Sequence, residues 1–584
     1  MKLRTVTYTL MAVLLALTGC SRPDTANTTG AADAGVPVTG DWIVARLDAD
    51  ADTLNPHTTS TTNSSTVYYG ANNSNIYESL VGSEPSDWVT PKAVLAEARP
   101  EVSPDHLIYT FTLRQGITWH DGKPLTPEDV VFSFKSVMCP SVDSAPTRSN
   151  LTDLVNVEAD GWKIRMTVSK AHYLNEGILG GYTAVIPKHV FDPQGILDSF
   201  TFKDVIAAKN VSNPKLLQFG KEFNQNPAGR APIGTGPYKF EKWESGKEIV
   251  VVRNEQYWGQ KPYLDKIIYR IITDATAALT ALKSGDIDMN PRLTPIQFAQ
   301  QTSGAAFDQQ LAKSKYTIPA YYYIGWNQER PFFRDKRVRQ ALTMLLDRQQ
   351  VVDTLRFGLG KLAVAPFNPN SPYFNPNLKP VPYDPKRALE LLDEAGWKDT
   401  NGDGIRDKDG RAFKFELISS TSDLSNKLSP VVKEELRKVG IEVSERHLEF
   451  TVLSNSIRDK QFDANLGGWA SDLVSDPFQV WHSSSIPNRG SNYISFRNKQ
   501  SDELLEQGRL EFDPEKRKQI YWRWMELIAD EQPYTFLFYA EEAAAYSKRF
   551  QNAKFLPTRP GYDLNTWYVP KMTQKYTNNG TRTP

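Results

Sequence analysis

The chain has 584 residues, of which 40% are hydrophobic and 23% charged, so it is globular and too long for one ordinary core, and two or three domains are expected. Lysine plus arginine equals aspartate plus glutamate, at 68 each, and this balance excludes a broadly basic surface for nucleic acid. The aromatic content of 11% fits either a large core or a cleft lined with rings.

The first 20 residues predict a secretory signal peptide. A basic start is followed by an apolar run over residues 10–17, which is too short to span a bilayer. The run ends in Leu17-Thr18-Gly19-Cys20, and this ending resembles the bacterial lipobox, in which the cysteine is diacylated and becomes the mature N-terminus. The alternative is an ordinary cleaved signal with an incidental cysteine. Residues 21–40, rich in Thr, Ala, Gly and Asp, then predict a flexible tether.

Residues 109–135 predict a strand, a turn and a capped helix in that order. Apolar and polar residues alternate over residues 109–113, which is the period of a strand with one buried face. Residues 119–124, Trp-His-Asp-Gly-Lys-Pro, are typical of a turn, and Thr126 with Pro127 predicts a helix start. This succession resembles the signature of the family 5 extracellular solute-binding proteins, which serve peptide, nickel and related ATP-driven importers.

The resemblance implies an α/β fold class: a two-lobed type II periplasmic-binding-protein fold with an additional domain, hence three domains with a cleft between the lobes. Residues 41–75, 188–309 and 536–575 are expected to form a discontinuous first lobe. Residues 76–187 would be the additional domain inserted in it, and residues 310–535 the second lobe. The polar stretch 192–230 is longer than the family needs and predicts a surface insertion.

A strand–helix–strand pattern over residues 264–289 predicts that the first lobe is α/β. Strands are expected over 264–272 and 287–289, with a helix over 275–283, and such a crossover makes the two strands parallel. Just before it, Gly234-Thr235-Gly236 suggests a phosphate loop, but Pro237 removes a donor and a strand follows. A tight turn into a hairpin is therefore preferred.

From about residue 310 onward, apolar stripes at helical spacing alternate with strands and predict the second lobe. An aromatic strand is expected over residues 321–326, and a final buried strand over 534–539. Helices are expected over 334–351 and after three Xaa-Pro starts, Asp384-Pro385, Ser429-Pro430 and Asp513-Pro514.

Residues 399–410 place Asp399, Asn401 and Asp403 at the first, third and fifth positions of a calcium loop. Gly410 stands where the bidentate Glu should be, so a polar turn is preferred to a calcium site. The seven histidines form no local zinc motif, and we expect no metal site and no cofactor, although convergence of distant residues on nickel stays open. These histidines are His57, His106, His120, His172, His189, His447 and His482.

Residues 467–478 hold the principal candidate for ligand binding. Trp469-Ala470-Ser471-Asp472 resembles the family's Trp-x-x-Asp segment, whose Asp pairs with the α-ammonium group of the ligand in the oligopeptide and dipeptide binders. A desolvated carboxylate is a strong, directional partner for a primary ammonium. The alternative is an Asp that caps a helix near Pro477, a role that suits Asp476 better. The resemblance further makes Trp469, Asn492, Tyr493, Trp326 and Asn327 candidates for ligand binding. A structural role is the alternative for Asn492 and Tyr493, and which rings of residues 321–326 face the ligand stays open.

The function implied by the resemblance is that of the extracytoplasmic substrate-binding component of an ATP-binding-cassette importer. It would capture (oligo)peptides in the interlobe cleft, deliver them to the permease subunits and catalyse no reaction. A monomer held to a bacterial membrane by the lipid on Cys20 is expected. The alternatives are a non-peptide ligand, such as a nickel chelate or an oligosaccharide, and a lipid-anchored peptide-binding chaperone or sensor. Ligand length, side-chain preference, permease and host membrane stay open.

Overall fold

The computed structural model describes residues 36–59, 61–69, 75–84, 87–208, 213–487 and 490–576. The predicted signal peptide, Cys20 and residues 21–35 of the tether lie outside the described residues. Among the described residues, no helix combines the length and the apolar character needed to cross a membrane.

The strands of the described chain are, in order, β1 Trp42–Leu47, β2 Val81–Glu84, β3 Asp87–Ala93, β4 Glu101–Val102, β5 Ile108–Thr112, β6 Leu154–Asp160, β7 Lys163–Val168, β8 Tyr238–Glu244, β9 Glu248–Arg253, β10 Lys266–Ile271, β11 Met289–Leu293, β12 Leu311–Trp326, β13 Gly360–Leu362, β14 Asp407–Lys408, β15 Arg411–Ala412, β16 Lys414–Ser420, β17 Glu442–Leu448, β18 Ala464–Ala470 and β19 Tyr534–Ser547.

The α-helices are, in order, α1 Thr62–Tyr68, α2 Pro127–Met138, α3 Ala145–Ser149, α4 Asn175–Gly181, α5 Lys188–Phe191, α6 Phe202–Ala207, α7 Pro214–Asn224, α8 Ala275–Ser284, α9 Ala305–Gln310, α10 Lys336–Met344, α11 Arg348–Leu355, α12 Pro385–Glu394, α13 Asp423–Arg437, α14 Phe450–Arg458, α15 Phe478–Trp481, α16 Lys499–Leu510 and α17 Pro514–Glu531.

One large mixed sheet runs through both lobes. Its strand order is β17-β16-β18-β12-β19-β11-β1-β10-β9-β8, and β13 pairs with β19 beside this path. Strands β12 and β19 are antiparallel and pair over most of their length, from Leu311 opposite Ser547 to Gly325 opposite Tyr534. The strands on one side of this pair belong to the second lobe and those on the other side to the first. The predicted lobe boundary at residues 535 and 536 falls inside β19, because this strand serves both lobes.

The predicted crossover of the first lobe is present. Strands β10 and β11 both pair in parallel with β1, which lies between them. Helix α8 connects them; the Asp274 side chain accepts a hydrogen bond from the Ala277 N–H at 2.7 Å, and the helix ends at Gly285, whose φ is 80°. An aspartate at this N-cap and a glycine at this left-handed position are the residues that such ends favour.

The Gly-x-Gly segment before β8 leads into a hairpin, as predicted, and it also brings two backbone segments into close approach, which was not predicted. A Cβ atom on Gly234 would lie 1.8 Å from the Ile76 carbonyl oxygen, and one on Gly236 would lie 2.2 Å from that of Asn75. Strands β8 and β9 then form the predicted antiparallel hairpin. The glycines are therefore required by packing.

The additional domain has a sheet of its own, in the order β4-β5-β7-β6, with the hairpin β2-β3 beside it. The signature forms the predicted strand, as β5, and the predicted helix, as α2. At the start of α2, the Asp129 side chain accepts a hydrogen bond from the Thr126 N–H at 2.9 Å. The buried residues of the additional domain, including Phe111, Trp119 and Phe134, form a core separate from that of the first lobe.

The prediction of a surface insertion over residues 192–230 is wrong for α7, one of the two α-helices that the structure describes in this stretch. On α7, Leu216, Phe219 and Phe223 are buried and belong to the same core as Ile43 of β1. These apolar side chains recur at helical spacing, so they share one face, and the polar residues that dominate the composition lie on the other.

The start of one helix of the second lobe is also corrected. Helix α13 begins at Asp423, where the Ser422 hydroxyl accepts a hydrogen bond from the Ser425 N–H at 3.2 Å, and Pro430 lies inside it. The Xaa-Pro pattern was a poor guide here because an earlier Ser cap was available. The helices predicted after Asp384 and Asp513 do begin there, each capped by that aspartate.

Candidate functional site

A cavity of about 730 Å³ lies where the additional domain, the second lobe and the C-terminal segment meet. Its walls come from Tyr69 and Pro319, from residues between 81 and 109 and between 173 and 182, and from the stretches 471–474, 512–517 and 558–559. Clefts of this volume hold small molecules and short chains. The cavity is therefore the candidate ligand site.

Asp472 lies in the wall of this cavity, just after β18. The Ser471 N–H donates to the Pro319 carbonyl oxygen at 2.8 Å, which extends the pairing of β18 with β12 and directs the next residue toward the opening. The Asp472 side chain is exposed and accepts a hydrogen bond from the Tyr182 hydroxyl of the additional domain. Among the described residues, no basic side chain forms an ion pair with it, so its charge is available to a cationic ligand group.

Tyr182 is a neutral donor at physiological pH. Although 41% of Tyr182 is exposed, the partial enclosure of its phenol raises the pKa well above the usual value, and the neighbouring Asp472 carboxylate raises that pKa further. The phenol therefore supports the carboxylate without neutralising it.

Asp476 has the capping role that the alternative interpretation gave it. Its Oδ1 accepts from the Phe478 N–H at 3.0 Å at the start of α15. Its Oδ2 accepts from Arg509 Nε at 2.8 Å and lies 3.3 Å from His172 Nε2. Burial raises the pKa of this carboxyl, but the hydrogen bond from His172 and the charge of Arg509 outweigh burial and lower it. Asp476 is committed to protein partners.

Trp469 and Tyr493, two of the candidate ligand-binding residues, contact each other. Their rings stack with centroids 5.5 Å apart and 17° between their planes, and Trp469 Nε1 donates to the Tyr534 hydroxyl at 3.3 Å. Both rings are half-buried, and neither is among the residues that line the cavity. Their contact with ligand stays a prediction.

Trp326 and Asn327 have structural roles, and their assignment to the ligand site is corrected. Trp326 is 1% exposed in the core of the second lobe, and its Nε1 donates to Thr535 Oγ1 at 3.2 Å. Asn327 is fully buried, and its Nδ2 donates to the Phe462 carbonyl oxygen at 2.8 Å. The end of β12 lies in the middle of the sheet, so side chains there are covered on both faces.

Asn492 is corrected in the same way. It is fully buried; its Nδ2 donates to the Phe496 carbonyl oxygen at 2.9 Å, and its Oδ1 accepts from the Phe496 N–H at 3.0 Å. The donor and the acceptor of the side-chain amide both bond within a local turn, so this amide offers no group to a ligand.

Sequence reasoning missed the loop of the additional domain that contacts the second lobe. The Tyr173 N–H donates to the Arg509 carbonyl oxygen at 3.1 Å, and the Tyr173 hydroxyl donates to the Ser475 carbonyl oxygen at 3.3 Å. The Arg517 guanidinium lies 4.1 Å from the centroid of the Tyr173 ring. No linear pattern could indicate these contacts, because the partners are about 300 residues apart along the chain.

The calcium-like loop uses its carboxylate for its own turn. Asp399 accepts hydrogen bonds from the Gly402 N–H at 2.7 Å and from the Gly404 N–H at 2.9 Å, and the short hairpin β14–β15 follows. This geometry agrees with the preferred polar turn. Within the described ranges, no group of three His, Cys, Asp or Glu side chains is arranged to hold a metal ion.

Comparisons with known proteins agree with the two-lobed fold. The family model described as "Bacterial extracellular solute-binding proteins, family 5 Middle" matches residues 90–491. The chain is 32% identical over 574 residues to the oligopeptide-binding protein AppA of Bacillus subtilis (strain 168), which covers 96% of this chain and 98% of AppA.

Solved structures give the same architecture. The B. subtilis AppA structure, in complex with a nonapeptide, matches with a TM-score of 0.68 and 29% identity, covering 92% of this chain and 100% of that one. NikZ from Campylobacter jejuni, in complex with Ni(L-His), matches with a TM-score of 0.67 and 25% identity, covering 90% of this chain and 99% of that one. The expected α/β, two-lobed type II periplasmic-binding fold is thereby confirmed.

Proposed function

Because the chain belongs to the family 5 bacterial extracellular solute-binding proteins, we propose that it captures peptides in the interlobe cavity and delivers them to the permease of an ATP-binding-cassette importer. The observation that carries the proposal is Asp472, an exposed carboxylate in the cavity wall with no basic partner among the described residues. An N-terminal ammonium is the group that such a carboxylate binds best. The AppA complex with a nonapeptide supports a peptide as the ligand.

The mechanism follows from the position of the cavity. A peptide entering between the additional domain and the second lobe would place its ammonium at Asp472, with the Tyr182 hydroxyl holding the carboxylate in place. Closure of the lobes about β12 and β19 would exclude water and strengthen that ion pair. The chain would release its cargo unchanged, since binding and transfer require no chemical step.

The family is extracellular, so the protein works outside the cytoplasm. We infer that diacylated Cys20 holds it to a bacterial membrane and that residues 21–40 let the monomer reach the permease. The support is the lipobox-like Leu17-Thr18-Gly19-Cys20 at the end of a short apolar run. Mass spectrometry of the membrane-extracted protein would test this, because a mature chain starting at Ser21 or retaining Met1 contradicts it.

A nickel chelate is the second candidate ligand. The similarity to NikZ, which was solved with Ni(L-His), favours it. A metal-bound amino acid presents polar groups to a cleft much as a short peptide does, so the same cavity suits both.

The test is a thermal-unfolding titration of the soluble form that lacks residues 1–20, refolded to remove any bound ligand. The ligands are pooled peptides of three to six residues with free or acetylated amines. At about 100 times the dissociation constant, a ligand should stabilise the fold by roughly 2.7 kcal/mol. We expect free-amine peptides to do so and acetylated ones to lose the effect.

Asp472→Asn should reduce the affinity for free-amine peptides to that for acetylated peptides, because the substitution removes the negative charge while keeping the shape of the side chain. The matched control is Asp353→Asn, an exposed carboxylate of α11 outside the cavity. A stabilisation by nickel–histidine but by no peptide pool would transfer the assignment to the chelate. Unchanged peptide uptake in a deletion strain, together with a protein-folding defect, would favour a chaperone.

A further inference from the structure

Arg517 is a buried cation in the cavity wall with neutral partners. Its side chain is 4% exposed. Its Nε donates to the Tyr373 hydroxyl at 2.7 Å, its Nη1 donates to the Glu511 carbonyl oxygen at 2.7 Å, and its guanidinium stacks on the Tyr173 ring. In the described part of the chain it forms no ion pair with a carboxylate, and its Nη2 group donates to no acceptor.

A buried guanidinium that no carboxylate contacts is costly; the charge of Arg517 also acts on Asp513 at the start of the same helix, but that carboxylate is exposed and forms no ion pair with it. Hydroxyl and carbonyl oxygens satisfy individual N–H groups, but they do not replace the solvation that a full positive charge loses on burial. A carboxylate delivered by a ligand would restore the missing counter-charge, and the planar guanidinium, already oriented by the Tyr173 ring, presents its remaining N–H groups in a fixed direction.

The other charges of the cavity are arranged differently. Arg99 is neutralised by Glu176, with Nε–Oε1 and Nη2–Oε2 distances of 2.6 Å each. Asp472 carries a negative charge that no basic side chain among the described residues pairs with. Arg559 lies at the surface, with the Thr62 hydroxyl 3.4 Å from its Nη1. The cavity thus offers one carboxylate for an ammonium and one buried guanidinium for a carboxylate.

We propose that Arg517 is an anion subsite that receives a carboxylate of the bound peptide, so that the cavity selects zwitterionic or acidic peptides. The carboxylate is the C-terminus of a short peptide or an acidic side chain of a longer one. This inference rests on the proposed function, because it names a second anchor for the same ligand. It makes Arg517 a specificity-determining residue.

The test is a calorimetric titration with one peptide sequence in three forms: free acid, C-terminal amide, and amide with one internal Glu. For the native chain we expect amidation to weaken binding about 10- to 100-fold, which is the usual effect of removing one charge-assisted hydrogen-bonded partner. Recovery of affinity by the internal Glu would identify an acidic side chain as a source; no recovery would identify the C-terminus.

Arg517→Gln should bind the acid and the amide equally, because the group that distinguishes them is gone. Arg517→Lys should keep part of the discrimination. The matched control is Arg523→Gln, an exposed arginine on the same helix α17 outside the cavity, which should behave as the native chain. The unfolding transition of each ligand-free variant is recorded beside the titration.

Equal affinity of the native chain for acid, amide and Glu-containing amide would overturn the inference while leaving peptide capture intact. An Arg517→Gln variant that weakens all three forms equally would also overturn it, because that pattern indicates only a structural role. Failure of every peptide form to bind the native chain would instead contradict the proposed function.

Discussion

His57 is buried and His120 is half-buried, and both rings are neutral at physiological pH. Burial lowers the pKa of each to about 4, and hydrogen bonds with the Ala184 and Gly236 carbonyl oxygens offset only part of that effect. The Gly234 N–H donates to His120 Nδ1 at 3.2 Å, so the neutral ring carries its proton on Nε2, facing Gly236. Both histidines therefore hold the first lobe and the additional domain together as uncharged groups.

Acid should destabilise the fold through these two rings. An unfolded histidine titrates near pH 6.5, so between about pH 6.5 and 4 the unfolded chain binds more protons than the folded one. The stability that the neutral rings contribute is fully present above pH 6.5 and is lost as the pH falls toward 4. Each ring adds a slope of up to about 1.4 kcal/mol per pH unit.

Urea unfolding at a series of pH values measures this slope. His120→Gln keeps a hydrogen-bonding side chain but cannot titrate, so its free energy of unfolding should depend less steeply on pH between 6.5 and 4. Combining it with His57→Gln should flatten the dependence further. Identical slopes in the native chain and in both variants would contradict the prediction.

A candidate site residue could be identified from the sequence only where the interactions that define its role involve residues nearby along the chain. Asp472 was identifiable because its neighbours along the chain form the motif. Asn327 and Asn492 matched family positions equally well, but their amides bond to Phe462 and Phe496, and only the fold shows that they are buried. No sequence pattern indicated a role for Arg517, because an arginine near the start of a helix is common and only the fold shows that it lines a cavity.

At the scale of elements, the loop before α4 connects the additional domain to the second lobe. The Leu174 N–H donates to His172 Nδ1 at 3.0 Å, and His172 Nε2 lies 3.3 Å from Asp476 Oδ2. The Tyr173 ring packs edge-on against Tyr373 and Tyr521, so the connection is both polar and apolar.

Tyr173→Ala should loosen this connection. The substitution removes a half-buried ring from between the additional domain and the second lobe, together with its stacking on Arg517. Truncating a fully buried aromatic costs about 3–5 kcal/mol, so the loss of packing at this half-buried ring should be smaller. We expect a broader distribution of distances between spin labels on the additional domain and the second lobe, and faster release of bound peptide.

The matched control is Tyr383→Ala, a 49% exposed tyrosine of the second lobe outside this contact. It should change neither the distance distribution nor the release rate. The prediction fails if the two alanine variants behave alike.

Element prediction from sequence succeeded where a turn or a cap decides the structure. Strand β5 and helix α2 follow from alternation and capping within 30 residues of chain. The lengths of β12 and β19 did not follow, because each is extended by pairing with the other across more than 200 residues. Residues 311–320 and 540–547 carry no strong strand pattern of their own.

At the scale of the whole molecule, β12 and β19 connect the lobes, and their pairing is interrupted between Thr317 and Tyr321. Pro319 lies in this interval and has no amide hydrogen to donate to the ladder. It also lines the cavity. An irregular stretch bends more easily than a continuous ladder, so closure of the cavity is expected to concentrate there.

The first lobe is held at its other end by buried ion pairs around Arg549. Its guanidinium pairs with Asp41, and its Nη2 lies 2.9 Å from Asp288 Oδ2; the exposed fractions of these carboxylates are 1% and 2%. The Lys575 N–H donates to Asp41 Oδ2 at 2.8 Å, and the Tyr576 ring stacks on Trp42. The C-terminal segment is thus fastened to the first strand of the sheet.

Arg549→Met should destabilise the protein strongly, because the buried Asp41 and Asp288 carboxylates lose their shared guanidinium and keep only the Lys575 ammonium, 3.9 Å from Asp288 Oδ1. Breaking one side of a buried ion pair costs about 3–5 kcal/mol, whereas exposed pairs contribute about 1 kcal/mol or less. The control is Arg387→Met, which removes the exposed contacts with Glu390 and Glu394.

Urea unfolding should separate the two variants, while peptide affinity below the transition should be unchanged in both, since neither arginine lines the cavity. Equal losses of stability would mean that relaxation or water entry compensates the buried charges, and a loss of affinity in Arg549→Met would mean that the base of the first lobe is coupled to the ligand site.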